Sequence, residues 1–198
     1  MGVSNPSTST SLLELAKGHD PVAWKRLAEL YGPLVYQWAR RAGLQPDDAA
    51  DVMQSVFANL SVNLIRYTRR TATDSFRGWL YVLVRNQIRD HFRARKGEAI
   101  AAGGTNALQQ ILDLPEQAPC SDSPDGETDL NQLRRRAMQL VQAEFEGRTW
   151  VAFWRTAVEG DTPQDVADDM QISVWAVYKA RARVLNRLRD EFSDLLDS

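Results

Sequence analysis

The sequence predicts an all-α protein of two small helical domains joined by a flexible acidic linker. Three observations predict it. Apolar residues recur at helical spacing through residues 11–96 and again through 129–193. Between them, residues 97–128 hold no sustained period, and the stretch around them carries Gly103-Gly104, three prolines and a Pro-Cys-Ser-Asp-Ser-Pro-Asp-Gly run. The second segment contains a short helix, a tight turn and a longer helix in succession.

Ser11 opens the first element as an N-cap, with Glu14 three residues on in capping-box register. Leu12, Leu15 and Ala16 give it an apolar side. Asp20-Pro21 starts the next helix, where an N-cap precedes proline at the first helical position. Trp24, Leu27, Ala28 and Tyr31 carry its stripe, Gly32-Pro33 is expected to interrupt it, and Leu34, Val35, Trp38 and Ala39 resume it up to Gly43. The helix over 46–67 begins with Pro46, Asp47 and Asp48, acidic groups that suit the positive end of the dipole. Val52, Val56, Phe57 and Leu60 form its buried side; Asp48, Asp51, Gln54 and Ser55 lie outside that stripe.

The segment 76–96, FRGWLYVLVRNQIRDHFRARK, separates into two faces. Leu80, Leu83, Val84, Ile88 and Phe92 share one side. Tyr81, Arg85, Arg89, Arg93 and Lys96 share much of the other. Arginines at about one-turn spacing, with aromatics near the helix start, suit a phosphate backbone and unstacked bases. On residues alone, a solvated basic face on a core helix accounts for the pattern equally well.

Residues 97–133 hold seven Asp and Glu and no Lys or Arg, whereas 1–96 hold fourteen basic and eight acidic residues. The formal net charge of −2 conceals this asymmetry, which is a partner signal. A short helix is expected around 106–112. The second domain starts near Asp129, with Leu130, Leu133, Ala137, Leu140 and Val141 on one helix and Trp150, Phe153, Trp154 and Val158 on the next. Thr162 then serves as an N-cap, Pro163 as N1 and Asp165 as an acidic N3 residue. The turn 171–173 leads to a second N-cap, Ser173, and a helix over 174–192. Its Val177, Val184, Leu185 and Leu188 face inward; Trp175, Ala176, Lys179, Ala182, Arg183 and Asn186 face out, where a recognition helix meets the major groove.

Several classes of function drop out. His19 and His91 are the only histidines and lie far apart, and no phosphate loop, nucleophile elbow or acid pair is present, so no catalytic site, metal site or cofactor is expected. The single Cys120 excludes an internal disulfide. No apolar run approaches the roughly 20 residues of a membrane span, and MGVSNPSTSTS does not read as a signal peptide. A cytoplasmic protein without membrane insertion is expected.

Three motifs stand in an informative order. Asp48 to Phe57, DAADVMQSVF, resembles the D-A-E-D-L-x-Q-E-V-F segment of sigma region 2.2; 76–96 resembles regions 2.3 and 2.4; 163–189 is similar to region 4.2. With a short linker and no room for regions 1.1 or 3, the chain resembles an extracytoplasmic-function sigma factor of the sigma-70 family. The resemblance implies region 2 at 11–96, an acidic linker at 97–128 and region 4 at 129–193. It also implies partners: bacterial core RNA polymerase (the clamp of its largest subunit and the flap of its second largest), promoter DNA and an anti-sigma factor.

By that resemblance, Asp48, Asp51, Gln54 and Phe57 contact the clamp. The loop 67–75 captures a flipped −10 base, with Phe76, Trp79, Tyr81 and Asn86 placed to stack or hydrogen-bond and Arg85, Arg89, Arg93 and Lys96 to hold phosphates. Trp79 serves equally as core. Trp175, Ala176, Lys179 and Arg183 meet the −35 duplex, with Trp175 either a base reader or a packing residue; Arg181 and Arg187 hold phosphates or support the fold. The linker fits either a nucleic-acid mimic or a plain tether. Departures from the family pattern include Ser55 in place of the usual Glu, Trp175-Ala176-Val177 in place of Gly-Thr-Val, Tyr178 in place of a basic residue, and no Leu-Pro pair near 144–147. The competing functions are a helix-turn-helix regulator that never joins polymerase and an adaptor that binds the clamp without DNA.

Overall fold

In the computed structural model, residues 11–69, 75–99 and 126–196 are described, with side chains through 94 and 192 in the last two stretches. The described residues form helices joined by short turns: α1 (Leu12–Lys17), α2 (Pro21–Arg41), α3 (Pro46–Asn63) with a 3₁₀ turn (Leu64–Arg66), α4 (Phe76–Ala99), α5 (Gly126–Gln142), α6 (Gly147–Trp154) with a π turn (Arg155–Glu159), α7 (Pro163–Met170) and α8 (Val174–Leu196). The fold is all-α, as expected. The short helix expected around 106–112, Cys120 and most of the acidic linker lie outside the described residues.

The capping signals act where the sequence puts them. Ser11 Oγ accepts from the Glu14 amide at 3.4 Å and Asp20 Oδ1 from the Ala23 amide at 2.7 Å. Ser75 Oγ accepts from the Gly78 amide at 3.0 Å and so opens α4. Each such cap is worth about 1 kcal/mol. Pro33 behaves differently from expectation. It does not interrupt α2, which runs 21 residues straight through it. The carbonyl that its missing N–H would have served, on Glu29, accepts a 3.1 Å bond from Arg136 Nε of α5.

That bond belongs to a larger joint. One apolar core runs from α1–α4 into α5, α6 and α8: Leu27, Leu30, Val35, Leu60, Phe76, Leu80 and Val84 share it with Leu133, Ala137, Val141, Phe153, Val184 and Phe192. Burying each large apolar side chain stabilises the fold by about 1.5–3 kcal/mol. Polar groups close the seam. Asp129, 5 % exposed, accepts from Trp38 Nε1 at 2.7 Å and from Arg41 at 2.8 Å. Arg77 donates to the Gly126 carbonyl at 2.5 Å. Arg26 pairs with Glu144 at 2.7 Å and, through two nitrogens, with buried Glu191, which Arg187 also holds at 2.7 Å. The second half therefore packs against the first, and its first helix starts at Gly126, three residues before the expected Asp129. A smaller core of Ala152, Val166, Ala167, Val177 and Ala180, with Met170, Ile172 and Val174 at its edge, holds α6, α7 and α8 together.

Candidate nucleic-acid and polymerase interface

The outer face of α3 emerges from the pattern that predicted it. Val52, Val56 and Leu60 are buried, so Asp51, Gln54 and Ser55 point to solvent. Asp48 is half-buried, with Oδ1 3.6 Å from His91 Nε2 on α4. Phe57 is half-buried and packs on the core.

On α4 the expected division of faces needs correction. Phe76 is 1 % exposed and sits edge-on to Tyr31 at 5.2 Å and Tyr67 at 5.4 Å. It belongs to the core, where an exposed stacking ring was expected. Trp79 is half-buried and completes the cluster, 5.1 Å from Tyr67 and 5.8 Å from Phe76. Burial pushes the Tyr31 hydroxyl above its ordinary pKa, against the opposing charge of Arg77. Tyr81 is half-buried, edge-on to Trp38 at 5.1 Å. Arg85, 5 % exposed, is not on the outer surface. Arg77, Tyr81 and Arg85 follow one another at four-residue spacing, and this line begins beneath the start of α5, where Arg77 meets Gly126. The solvent-facing line of α4 is Val82, Asn86, Asp90 and Arg93, with Arg89 half-buried beside it and Arg93 bonded to Asp90 at 3.0 Å. The Lys96 side chain lies outside the described residues.

The second site is a helix-turn-helix. Thr162 Oγ1 accepts from the Asp165 amide at 3.2 Å and starts α7, and Gln171 ends it in the left-handed region at φ 53°. A non-glycine residue there costs roughly 1 kcal/mol; the Ile172 amide bonded to the Ala167 carbonyl at 3.0 Å and the half-buried Ile172 side chain hold the turn. Ser173 Oγ accepts from the Ala176 amide at 3.1 Å and starts α8. Arg155 ties the π turn to this unit through Asp161 at 2.6 Å and Asp169 at 2.9 Å. These hydrogen bonds raise the Arg155 pKa.

Along α8, Trp175 is 69 % exposed, which settles it as a surface residue. Lys179 Nζ lies 4.9 Å from the centroid of its ring. Lys179 and Arg183 are exposed and Ala176 is half-buried. Sequence reasoning passed over the exposure of Tyr178, and it left Arg187 between two roles. Arg187 is structural: it bonds Glu144 at 2.7 and 3.2 Å as well as Glu191. Burial works to lower the Arg187 pKa, but the Glu144 bond and the neighbouring carboxylates outweigh it, and the net shift is upward.

Exposed cations thus stand on two helical surfaces, Arg93 on α4 and Lys179 and Arg183 on the helix-turn-helix. Residues 27–98 match the model of the Sigma-70 region 2 family, which covers α4 and α3 and most of α2. The match supports a sigma-70 family sigma factor, with a role in RNA polymerase binding, promoter DNA binding and melting at transcription initiation. No curated protein matches the chain. Among the described residues, no helix is long and apolar enough to cross a membrane.

Proposed function

We propose that the chain is an extracytoplasmic-function sigma factor, in which one short polypeptide joins a region 2 module to a region 4 module. The observation that carries this reading is the match to region 2 over 27–98 in a chain whose second half ends in a helix-turn-helix. In this reading Asp48, Asp51, Gln54 and Phe57 dock on the clamp of the largest polymerase subunit. Asn86, Arg89, Arg93 and Lys96 approach the −10 strand together with Trp79 and the 67–75 loop. Trp175, Ala176, Lys179 and Arg183 meet the −35 duplex, and the region 4 module reaches the flap of the second-largest subunit. Phe76 and Arg85, both buried, belong to the same −10 site and support it from beneath. An anti-sigma factor would act by covering these same surfaces. The domain division at 11–96, 97–128 and 129–193 belongs to the same proposal.

Melting in this scheme needs no covalent step. A surface that binds unstacked bases better than paired ones shifts an existing opening equilibrium. The test is transcription by bacterial core RNA polymerase on a promoter library, with and without the purified chain. Promoter-specific transcripts are expected, and Asp51→Arg should weaken assembly with core while leaving thermal stability unchanged. A chain that binds duplex DNA yet never associates with core would instead be a helix-turn-helix regulator outside the polymerase.

A further inference from the structure

The start of α8 carries an arrangement that the sigma reading does not require. Trp175 and Tyr178 are large aromatic residues left 69 % and 54 % exposed on consecutive turns, within a helix-turn-helix whose remaining apolar residues are largely inside. Neither belongs to either apolar core. Lys179 sits one turn beyond Trp175 and places its ammonium over the indole face. From Ser173 to Arg189 the chain holds no acidic residue; Lys179, Arg181, Arg183 and Arg189 are exposed, while Arg187 is taken up by Glu144 and Glu191. The surface is therefore complementary to a polyanion, and its leading edge is apolar.

We infer that Trp175 and Lys179 form one reading unit for a thymine-containing step in the major groove, with the indole edge against the thymine 5-methyl group and the ammonium on the neighbouring base. The inference rests on the proposal that α8 enters the −35 duplex, and it names the chemistry read there. The reasoning is specific to the groove. Each base pair presents a distinct edge in the major groove, and the thymine methyl is the one apolar feature. The first turns of a recognition helix are the part that meets base edges. Trp175 stands on the first turn, directly after the Ser173 cap. An unpaired lysine samples many rotamers; the ring face attracts its charge and narrows them, and this attraction is worth about 0.5–1 kcal/mol at an exposed site. An amine aimed at the base beside the methyl can donate to purine N7 or O6. Tyr178, on the following turn, flanks the unit and gives the groove a second apolar wall.

The experiment uses the full chain assembled on core RNA polymerase and duplex promoters selected from a randomised pool. Each thymine of the upstream element is replaced in turn by deoxyuridine, which removes the methyl and nothing else. At one thymine position the wild-type holoenzyme should lose about three- to fivefold in binding, the scale of one buried methyl group. Trp175→Ala should bind methylated and unmethylated DNA alike, and Trp175→Phe should restore part of the preference. Lys179→Ala should keep the methyl effect while relaxing choice at the adjacent base pair. Because Trp175 is exposed, these variants are expected to melt at the wild-type temperature. Selective binding without methyl dependence at any upstream thymine, or methyl dependence unchanged in Trp175→Ala, overturns the inference and leaves the sigma reading standing. Failure to assemble with core overturns the reading on which it rests.

Discussion

Arg136 Nε donates to the Glu29 carbonyl at 3.1 Å, so a residue of α5 occupies the acceptor that Pro33 leaves open inside α2. The proline removes an i→i−4 bond and would ordinarily kink or end the helix. Here the vacated carbonyl becomes a docking point for the second half of the chain. Local sequence weakness and long-range packing meet at one oxygen atom.

This coupling predicts a non-additive pair. Arg136→Met should destabilise the protein by about 1 kcal/mol, the usual net worth of such a bond. Pro33→Ala supplies an amide for Glu29 again, so Arg136→Met should cost less in that background. Urea unfolding of the four chains measures the interaction directly. Additive losses would mean that Arg136 contributes only its aliphatic stem.

The Asp129 carboxylate predicts a different response. It is buried and takes the Trp38 indole N–H at 2.7 Å and an Arg41 nitrogen at 2.8 Å, holding the start of α5 to the end of α2. Asp129→Ala leaves a buried donor without an acceptor, which costs about 1–3 kcal/mol. The loss should concentrate at the polar seam between the halves, because the substitution removes no apolar contact of the shared core. Small-angle scattering should therefore show a larger radius of gyration for Asp129→Ala at temperatures where its helix content equals that of the wild type. An unchanged radius with uniformly lowered stability would count against a seam role.

The sequence reading located the helices and the helix-turn-helix because these depend on nearby residues: caps at Ser11, Asp20, Thr162 and Ser173, and stripes at helical spacing. It offered Phe76 and Arg85 to DNA, yet both are buried, Phe76 among Tyr31, Tyr67 and Trp79 of its own half. A helical wheel shows which residues share a side but not how many neighbours that side will meet. Drawn for α4 alone, the wheel leaves the Tyr81–Arg85 side outward, although Tyr81 packs on Trp38 of α2. The start of α5, anchored by Gly126 and Asp129, meets Arg77 one turn earlier. Arg26, Glu144 and Glu191 escaped notice because a pairing across 165 residues leaves no local pattern. The same limit explains Pro33, whose tolerance depends on a donor from another helix. Trp175 was left open between core and surface, and only its exposure in the folded chain decided it.

Glu191 gives the seam a pH dependence whose sign follows from its surroundings. Its carboxylate is buried, and burial pushes its pKa above the ordinary glutamate value, although Arg26 and Arg187 pull the other way and Glu144 adds a smaller upward push. A carboxyl group with a raised folded-state pKa binds its proton more tightly in the native chain than in the unfolded one. Its contribution to stability is then fully present below the unfolded pKa and is lost as pH rises through the folded value. Other carboxylates titrate in the same range, so the comparison needs a variant without this proton. Glu191→Gln provides it, since the amide keeps the shape and does not ionise. The stability of wild type minus that of Glu191→Gln should fall as pH is raised from about 4 towards 7, the range in which an upward-shifted glutamate titrates. Urea midpoints at several pH values, with unfolding slopes held equal, measure the difference. A rise over the same interval would show that the two arginines outweigh desolvation and that the ionised carboxylate holds the halves together.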